Sequence, residues 1–208
     1  MSKKERLSEF NRNNILAAAK QLFLDKGITQ TTMDDIAKTA DYSKSTIYVY
    51  FENKEEIFNY IVLEYFTFLR DGLSYAVDSA SDFTDGYFAI CNTVVKFYDD
   101  YPMYFDSILG DIKVSVDETD PIPFQIYLVG EQINEIIENY FKACMTRGEI
   151  RADLDHLPQT IFALWASICG IISLANKKEE YITLKMSDSK EEFMQNGFNV
   201  LLRSVLPY

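Results

Sequence analysis

The chain has 208 residues, 48% of them apolar, which suffices for a sizeable core and fits a small domain followed by a larger one better than a single unit. Its formal charge of −12 opposes indiscriminate nucleic-acid binding, and three scattered cysteines, Cys91, Cys144 and Cys169, without C-x-x-C spacing argue against a disulfide framework or a zinc site and for a reducing, cytoplasmic setting. The opening Met-Ser-Lys-Lys-Glu-Arg lacks the apolar core of a signal peptide, and the longest mostly apolar run, residues 161 to 175, falls short of the ~20 residues of a membrane span.

In chain order, Ile15, Leu16, Ala19, Leu22 and Phe23 recur at helical spacing, and Gly27 supplies a C-cap. Thr31 or Thr32, with Asp34 or Asp35 three residues on, then forms a Ser/Thr-x-x-acid cap. Met33, Ile36, Ala37 and Ala40 give the second helix its apolar face. The period breaks at Asp41-Tyr42-Ser43, where Asp41 tolerates a left-handed backbone better than most residues and Ser43 caps the next helix.

That third helix begins at about Lys44. Ile47 and Phe51, with part of Tyr48 or Tyr50, face inward, leaving Lys44, Ser45, Thr46 and aromatic edges outside. About eight residues at ~1.5 Å each make roughly 12 Å, the width of the B-DNA major groove. Asn53 with Glu56 caps a longer helix through Ile57, Phe58, Ile61, Val62, Tyr65, Phe66 and Leu69, with Lys54 in its first turn.

The strings T-T-x-x-x-I-A and S-K-x-T-I-Y-x-Y-F-x-N-K-E-x-I-F resemble the DNA-binding domain of TetR-type transcriptional regulators over about residues 8 to 68. The resemblance implies a helix-turn-helix head followed by a ligand-binding and dimerisation domain over residues 69 to 208. Two departures stand out: Asp41-Tyr42 replaces the more usual Gly-Val of the turn, and Val49 replaces a polar or aromatic residue able to reach DNA. Val49 therefore makes fewer polar contacts there or touches a thymine methyl.

Beyond the head, Asp78 to Asp82 reads as a loop, a helix runs from about Tyr87 to Tyr98, and Pro102 and Gly110 bracket a short one. Residues 111 to 123, with two prolines, form an acidic loop before a long helix from Phe124 to about Arg147, ended by Gly148. No run alternates as a strand would, so the fold is all-α with about nine helices. The helix of about 158–178 is apolar nearly all round, so a partner chain is the natural cover for its second side. Together with a last helix of about 189–205, it resembles the four-helix dimer interface of TetR-type proteins.

Charge is segregated. Residues 1 to 50 hold eight Lys/Arg and six Asp/Glu, a net +2, while residues 51 to 208 hold twelve and twenty-six, a net −14. Screening over ~8 Å lets the basic end approach DNA despite the acidic remainder. The only histidine, His156, lies in a polar connector, and the eight glycines form no phosphate cradle. Neither an enzyme nor a bound metal or cofactor is expected.

The function expected is a homodimeric, cytoplasmic DNA-binding regulator, a repressor by resemblance, on a palindromic double-stranded operator. Lys44, Ser45 and Thr46 are expected to read base edges or adjacent phosphates; Thr32, Tyr48, Tyr50 and Lys54, with the capping Ser43, hold the backbone and set register. The resemblance implies a small-molecule effector among the helices starting near Lys54, Tyr87, Phe124 and Pro158. Tyr98, Phe105, Phe124, Tyr127, Phe162 and Trp165 are candidate lining residues, although aromatic side chains in helices mostly fill cores. The alternative is a helical module of the same fold that acts through a protein partner.

Overall fold

The structure, a computed structural model, describes residues 2–109 and 115–207. Among them are nine α-helices and one 3-10 segment, and no strand. The helices are α1 (Lys3–Gln30), α2 (Met33–Thr39), α3 (Lys44–Tyr50), α4 (Lys54–Asp78), α5 (Phe83–Asp100), α6 (Pro121–Thr146), α7 (Leu157–Lys177), α8 (Glu179–Met186) and α9 (Lys190–Arg203), with the 3-10 segment at Pro102–Leu109. The chain divides into two compact units. The first runs to Tyr65 and includes the stretch ending at Tyr127; the second takes up the chain again from Phe66 and from Leu128.

In the first unit α1 starts earlier than its apolar period suggests. Ser2 accepts from the Glu5 amide while the Glu5 carboxylate accepts from the Ser2 amide, a reciprocal cap that carries the helix back to Lys3. Gly27, at φ 79° and ψ 159°, breaks it. That backbone is strained for any residue with a Cβ, so the expected stop falls there, and one further turn reaches Gln30. The core joins Ile15, Ala19 and Phe23 of α1 to Ile36 of α2, Ile47 of α3, Phe51, and Ile57 and Ile61 of α4. Phe51 meets Tyr60 edge-on at 5.4 Å, and the Arg12 guanidinium lies 5.0 Å from the Tyr60 ring centre.

In the second unit α5 begins at Phe83, four residues before the expected start, because Asp82 caps it by accepting from the Asp85 amide. The polar start of that helix hid it from a reading based on apolar spacing. α6 likewise starts at Pro121 rather than Phe124: prolines 121 and 123 fall in the first turn, where a missing N–H costs no intrahelical bond. Gly148, at φ 75°, lies just past its end. The short α8 is absent from the expected elements; only Ile182 of its residues is buried, so it lacks an apolar stripe. Gly110, and the expected loop from residue 111 as far as residue 114, lie outside the described residues.

α7 packs on α5, α8 and α9, and α5 also packs on α9. The buried Tyr87 hydroxyl donates to the Phe198 carbonyl at 3.0 Å, joining α5 to α9. Contrary to the expected shortfall, α7 is long and apolar enough to cross a membrane by length and composition, because the helix outruns residues 161 to 175 at both ends. Its buried side, including Ile161, Leu164, Ile168, Cys169 and Ile172, is nonetheless packed within the unit. The opposite side, with Phe162, Ala163, Ala166, Gly170 and Leu174, is exposed.

Candidate nucleic-acid interface

The interface is assembled from three local devices, the first being the start of α2. Thr32 accepts from the Asp35 amide at 3.2 Å, and the Asp35 carboxylate takes the Thr32 amide and hydroxyl at 2.9 and 2.7 Å. Lys26 of α1 reaches the same carboxylate at 2.7 Å. The Lys26 ammonium, then the Thr32 hydroxyl and amide, hold the Asp35 carboxyl well below the usual carboxylate range. Of the two threonines, Thr31 is buried, its hydroxyl donating to the Gly27 carbonyl at 2.9 Å.

The second device is the turn. Asp41 sits at φ 57°, the left-handed region expected of it, and the Tyr42 amide donates to the Ala37 carbonyl at 2.9 Å. The Tyr42 ring is half-buried, and its hydroxyl donates to the Asn11 side-chain oxygen at 2.9 Å. Asn11 in turn donates to the Tyr50 hydroxyl at 2.9 Å, so one side chain of α1 holds both the turn and the last residue of α3. Ser43 caps α3 by accepting from the Thr46 amide at 3.1 Å, and its hydroxyl lies 2.8 Å from that of Ser45 and 2.7 Å from that of Thr46.

The third device joins α1 to α4. The Lys54 ammonium donates to the carbonyls of Ile28 at 2.6 Å, Thr31 at 2.8 Å and Thr29 at 3.4 Å, caught where the end of α1 leaves carbonyls without helical partners. An ammonium has three N–H donors, and these three oxygens engage them all. Asn53 caps the Glu56 amide at 2.8 Å, and Glu56 takes the Glu52 amide at 2.6 Å.

With Ile47 and Phe51 buried, the opposite side of α3 presents Lys44, Ser45, Tyr48 and Val49 to solvent. Thr46 and Tyr50 are half-buried, and Thr32 and Ser43 are exposed. Lys44 pairs with Asp34 at 2.7 Å, and this carboxylate raises its pKa further. The outer face therefore offers one ammonium, hydroxyls, a phenol and an isopropyl group.

Asn11, Lys26 and Asp34 were not among the expected site residues. Asn11 had a faint signal in an Asn-rich stretch of α1, whereas the two charged partners are legible only once the helices are placed.

Among the effector candidates, Tyr98 packs edge-on against Phe105 at 4.8 Å, and Phe124 stacks with Tyr127 at 6.4 Å. The first pair belongs to the second unit and the other to the first. Half-buried Trp165 lines a small cleft in the second unit with Tyr87, Ile90, Ile137, Phe141 and Leu164. Phe162 is 61% exposed, because its neighbour Ile161 takes the inward direction and one residue of helix turns the chain by ~100°. His156 is exposed and makes no side-chain cap of α7. Among the described residues no group of three or more His, Cys, Asp or Glu could hold a metal ion.

Two adjacent capped helices braced by α1, followed by a helical unit, define an all-helical protein with an N-terminal helix-turn-helix head. Residues 15–61 match the family model described as bacterial regulatory proteins, tetR family. A negative transcriptional regulator of a biofilm operon, IcaR of Staphylococcus epidermidis, is 28% identical over 114 residues, 51% of this chain and 62% of that protein. An uncharacterised helix-turn-helix regulator of Bacillus subtilis, YhgD, is 43% identical over 68 residues, 33% of this chain and 34% of that protein. The chain thus spans from about a third to three fifths of these relatives' lengths. A solved structure of a Rhodococcus protein of unknown function shares the fold, with a TM-score of 0.77 at 15% identity over 95% of this chain and 96% of that one.

Proposed function

We propose that the protein is a cytoplasmic, homodimeric DNA-binding repressor that occupies a palindromic operator and leaves it when a small molecule binds its helical body. A head of about residues 8 to 68 reads double-stranded DNA, and residues 69 to 208 dimerise and hold the effector. The observation that carries the reading is the two-sided character of α3. Ile47 and Phe51 anchor it while Lys44 and Ser45 stand exposed on the opposite side, at the net-positive end of a chain that is otherwise acidic.

In this reading Lys44 and Ser45 meet base edges or neighbouring phosphates, and Thr32 and Tyr48 hold the backbone. Ser43 and Thr46 shape the first turn of α3, while Tyr50 and Lys54 act from behind by fixing its position. Dimerisation is supported by the exposed side of α7, where Ala163, Ala166 and Gly170 allow another helix to approach closely, and α9 completes the interface.

The effector would enter the cleft lined by Tyr87, Phe141, Leu164 and Trp165. Its free volume of about 20 Å³ is far below the ~300 Å³ of even a small ligand pocket, so binding must push these walls apart. α4 carries the chain out of the head, and its displacement would change the separation of the two α3 helices.

The test is operator selection from a randomised duplex pool by the full chain, followed by mobility shifts across a salt series. Symmetric sites with half-sites about one helical turn apart, ~34 Å, and binding that weakens with salt are expected. Absence of sequence-specific, salt-sensitive binding would instead favour a module that docks on protein.

A further inference from the structure

One member of the outer face of α3 cannot form a hydrogen bond. Val49 is 78% exposed, although Ile47 two positions before it is fully buried and Phe51 two positions after it nearly so. It stands one turn beyond Ser45, so the two share a side of the helix, with Tyr48 beside them. A β-branched side chain in a helix has essentially one χ1 rotamer, so its methyl groups are held in a set direction. Each base pair meets a protein in the major groove through a pattern of donors and acceptors, and the apolar group in that pattern is the C5-methyl of thymine.

We propose that Val49 is a specificity-determining residue that reads a thymine through its methyl group; the inference rests on α3 being the groove helix. Lys44 and Ser45 supply the polar contacts that fix register, and Val49 supplies an apolar one. At this position thymine is accepted, and cytosine, which lacks the methyl, is disfavoured. 5-Methylcytosine, with the same methyl at the same place, is tolerated. A protein partner fits this side of α3 less well, because one turn from Val49 stands a serine and beyond it a lysine rather than a continuous apolar patch.

The experiment uses the full chain and operators selected from a randomised pool. Each dT of a half-site is replaced in turn by dU, which removes only the methyl, and, with dG opposite, by dC and by 5-methyl-dC, which differ from each other only in that methyl. Affinities are read by fluorescence anisotropy at one salt concentration. At one symmetric position dU should weaken wild type about fourfold per half-site, the factor for one buried methyl, and 5-methyl-dC should bind better there than dC.

V49A should bind the dT and dU duplexes equally at that position with an unchanged salt slope. The near-isosteric V49T, which retains one methyl, should show a reduced dU penalty and serves if V49A binds too weakly to measure. Equal binding of dT and dU duplexes by wild type at every position would overturn the proposal, as would an undiminished dU penalty in the variants. Failure of wild type to select any duplex would remove the groove-helix reading itself, a different result from specific binding that ignores the methyl.

Discussion

The Tyr42 hydroxyl donates to the Asn11 side-chain oxygen across 2.9 Å, tying the helix-turn-helix turn to α1. Asn11 also donates to Tyr50, so it sets the position of α3 from both of its ends without lying on it. Tyr42→Phe, which loses this bond and a longer one accepted from Asn14 at 3.4 Å, should lower the stability of the head by about 1–2 kcal/mol. Asn11→Ala loses the bonds to Tyr42 and Tyr50 and should cost about as much. Urea melts of the two variants and their double mutant would measure the coupling, and strict additivity would show that the pair does not act as a unit.

Lys54 can be tested for which of two roles it has. An ammonium that holds three carbonyls of the α1 end contributes to stability, and its loss should cost the head about 1–3 kcal/mol in Lys54→Met. The slope of log affinity against log salt should remain near wild type. A slope shallower by about one phosphate contact with unchanged stability would instead make Lys54 a direct backbone contact.

In the proposed reading Asp34 and DNA both attract Lys44. The pair is exposed and joined at 2.7 Å, so the carboxylate takes one of the ammonium's three donors and its charge offsets the attraction to a phosphate. Asp34→Asn should raise operator affinity at low salt and steepen the salt dependence, as the ammonium is released to the DNA and a nearby negative charge is removed. Isothermal titration or anisotropy across a salt series checks both, and a fall in affinity would mean that Asp34 instead holds Lys44 in its binding position.

Asp35 gives a pH signature. Its carboxyl is depressed in the fold by Lys26 and then Thr32, so the ionised form's contribution is fully present above the ordinary value of 3.8 and is lost as pH falls through the lower folded value. The stability difference between wild type and Asp35→Asn should therefore stay level from neutrality to about pH 5 and narrow below about pH 4. Urea midpoints across that range measure it.

Ala166 lies on the exposed side of α7 among small residues. Ala166→Glu places a charge where a second copy would pack, and should convert a dimer to a monomer in sedimentation experiments with little change in helical content. Operator affinity should fall steeply, since a single head engages only one half-site. An unchanged dimer would move the interface elsewhere.

Much of the head was legible because its information is local. A cap needs an acceptor side chain and an amide three residues on, so Thr32 with Asp35, Ser43 and Asn53 with Glu56 can be found from spacing. The same rule at Ser2 and Glu5 shows why α1 reaches back to Lys3. The left-handed Asp41 and the stop at Gly27 come from backbone sterics, and the buried side of α3 from helical period.

What tertiary structure alone decided is where long side chains end. Lys54 turns to the carbonyls of α1, Lys44 to Asp34 and Tyr42 to Asn11, because a flexible stem takes the partner that another helix brings within reach, and spacing along one helix does not specify that partner. The helical body was less legible for the same reason. Phe162 and Ile161 are adjacent and similarly apolar, yet packing α7 against α5 and α9 turns one inward and leaves the other exposed.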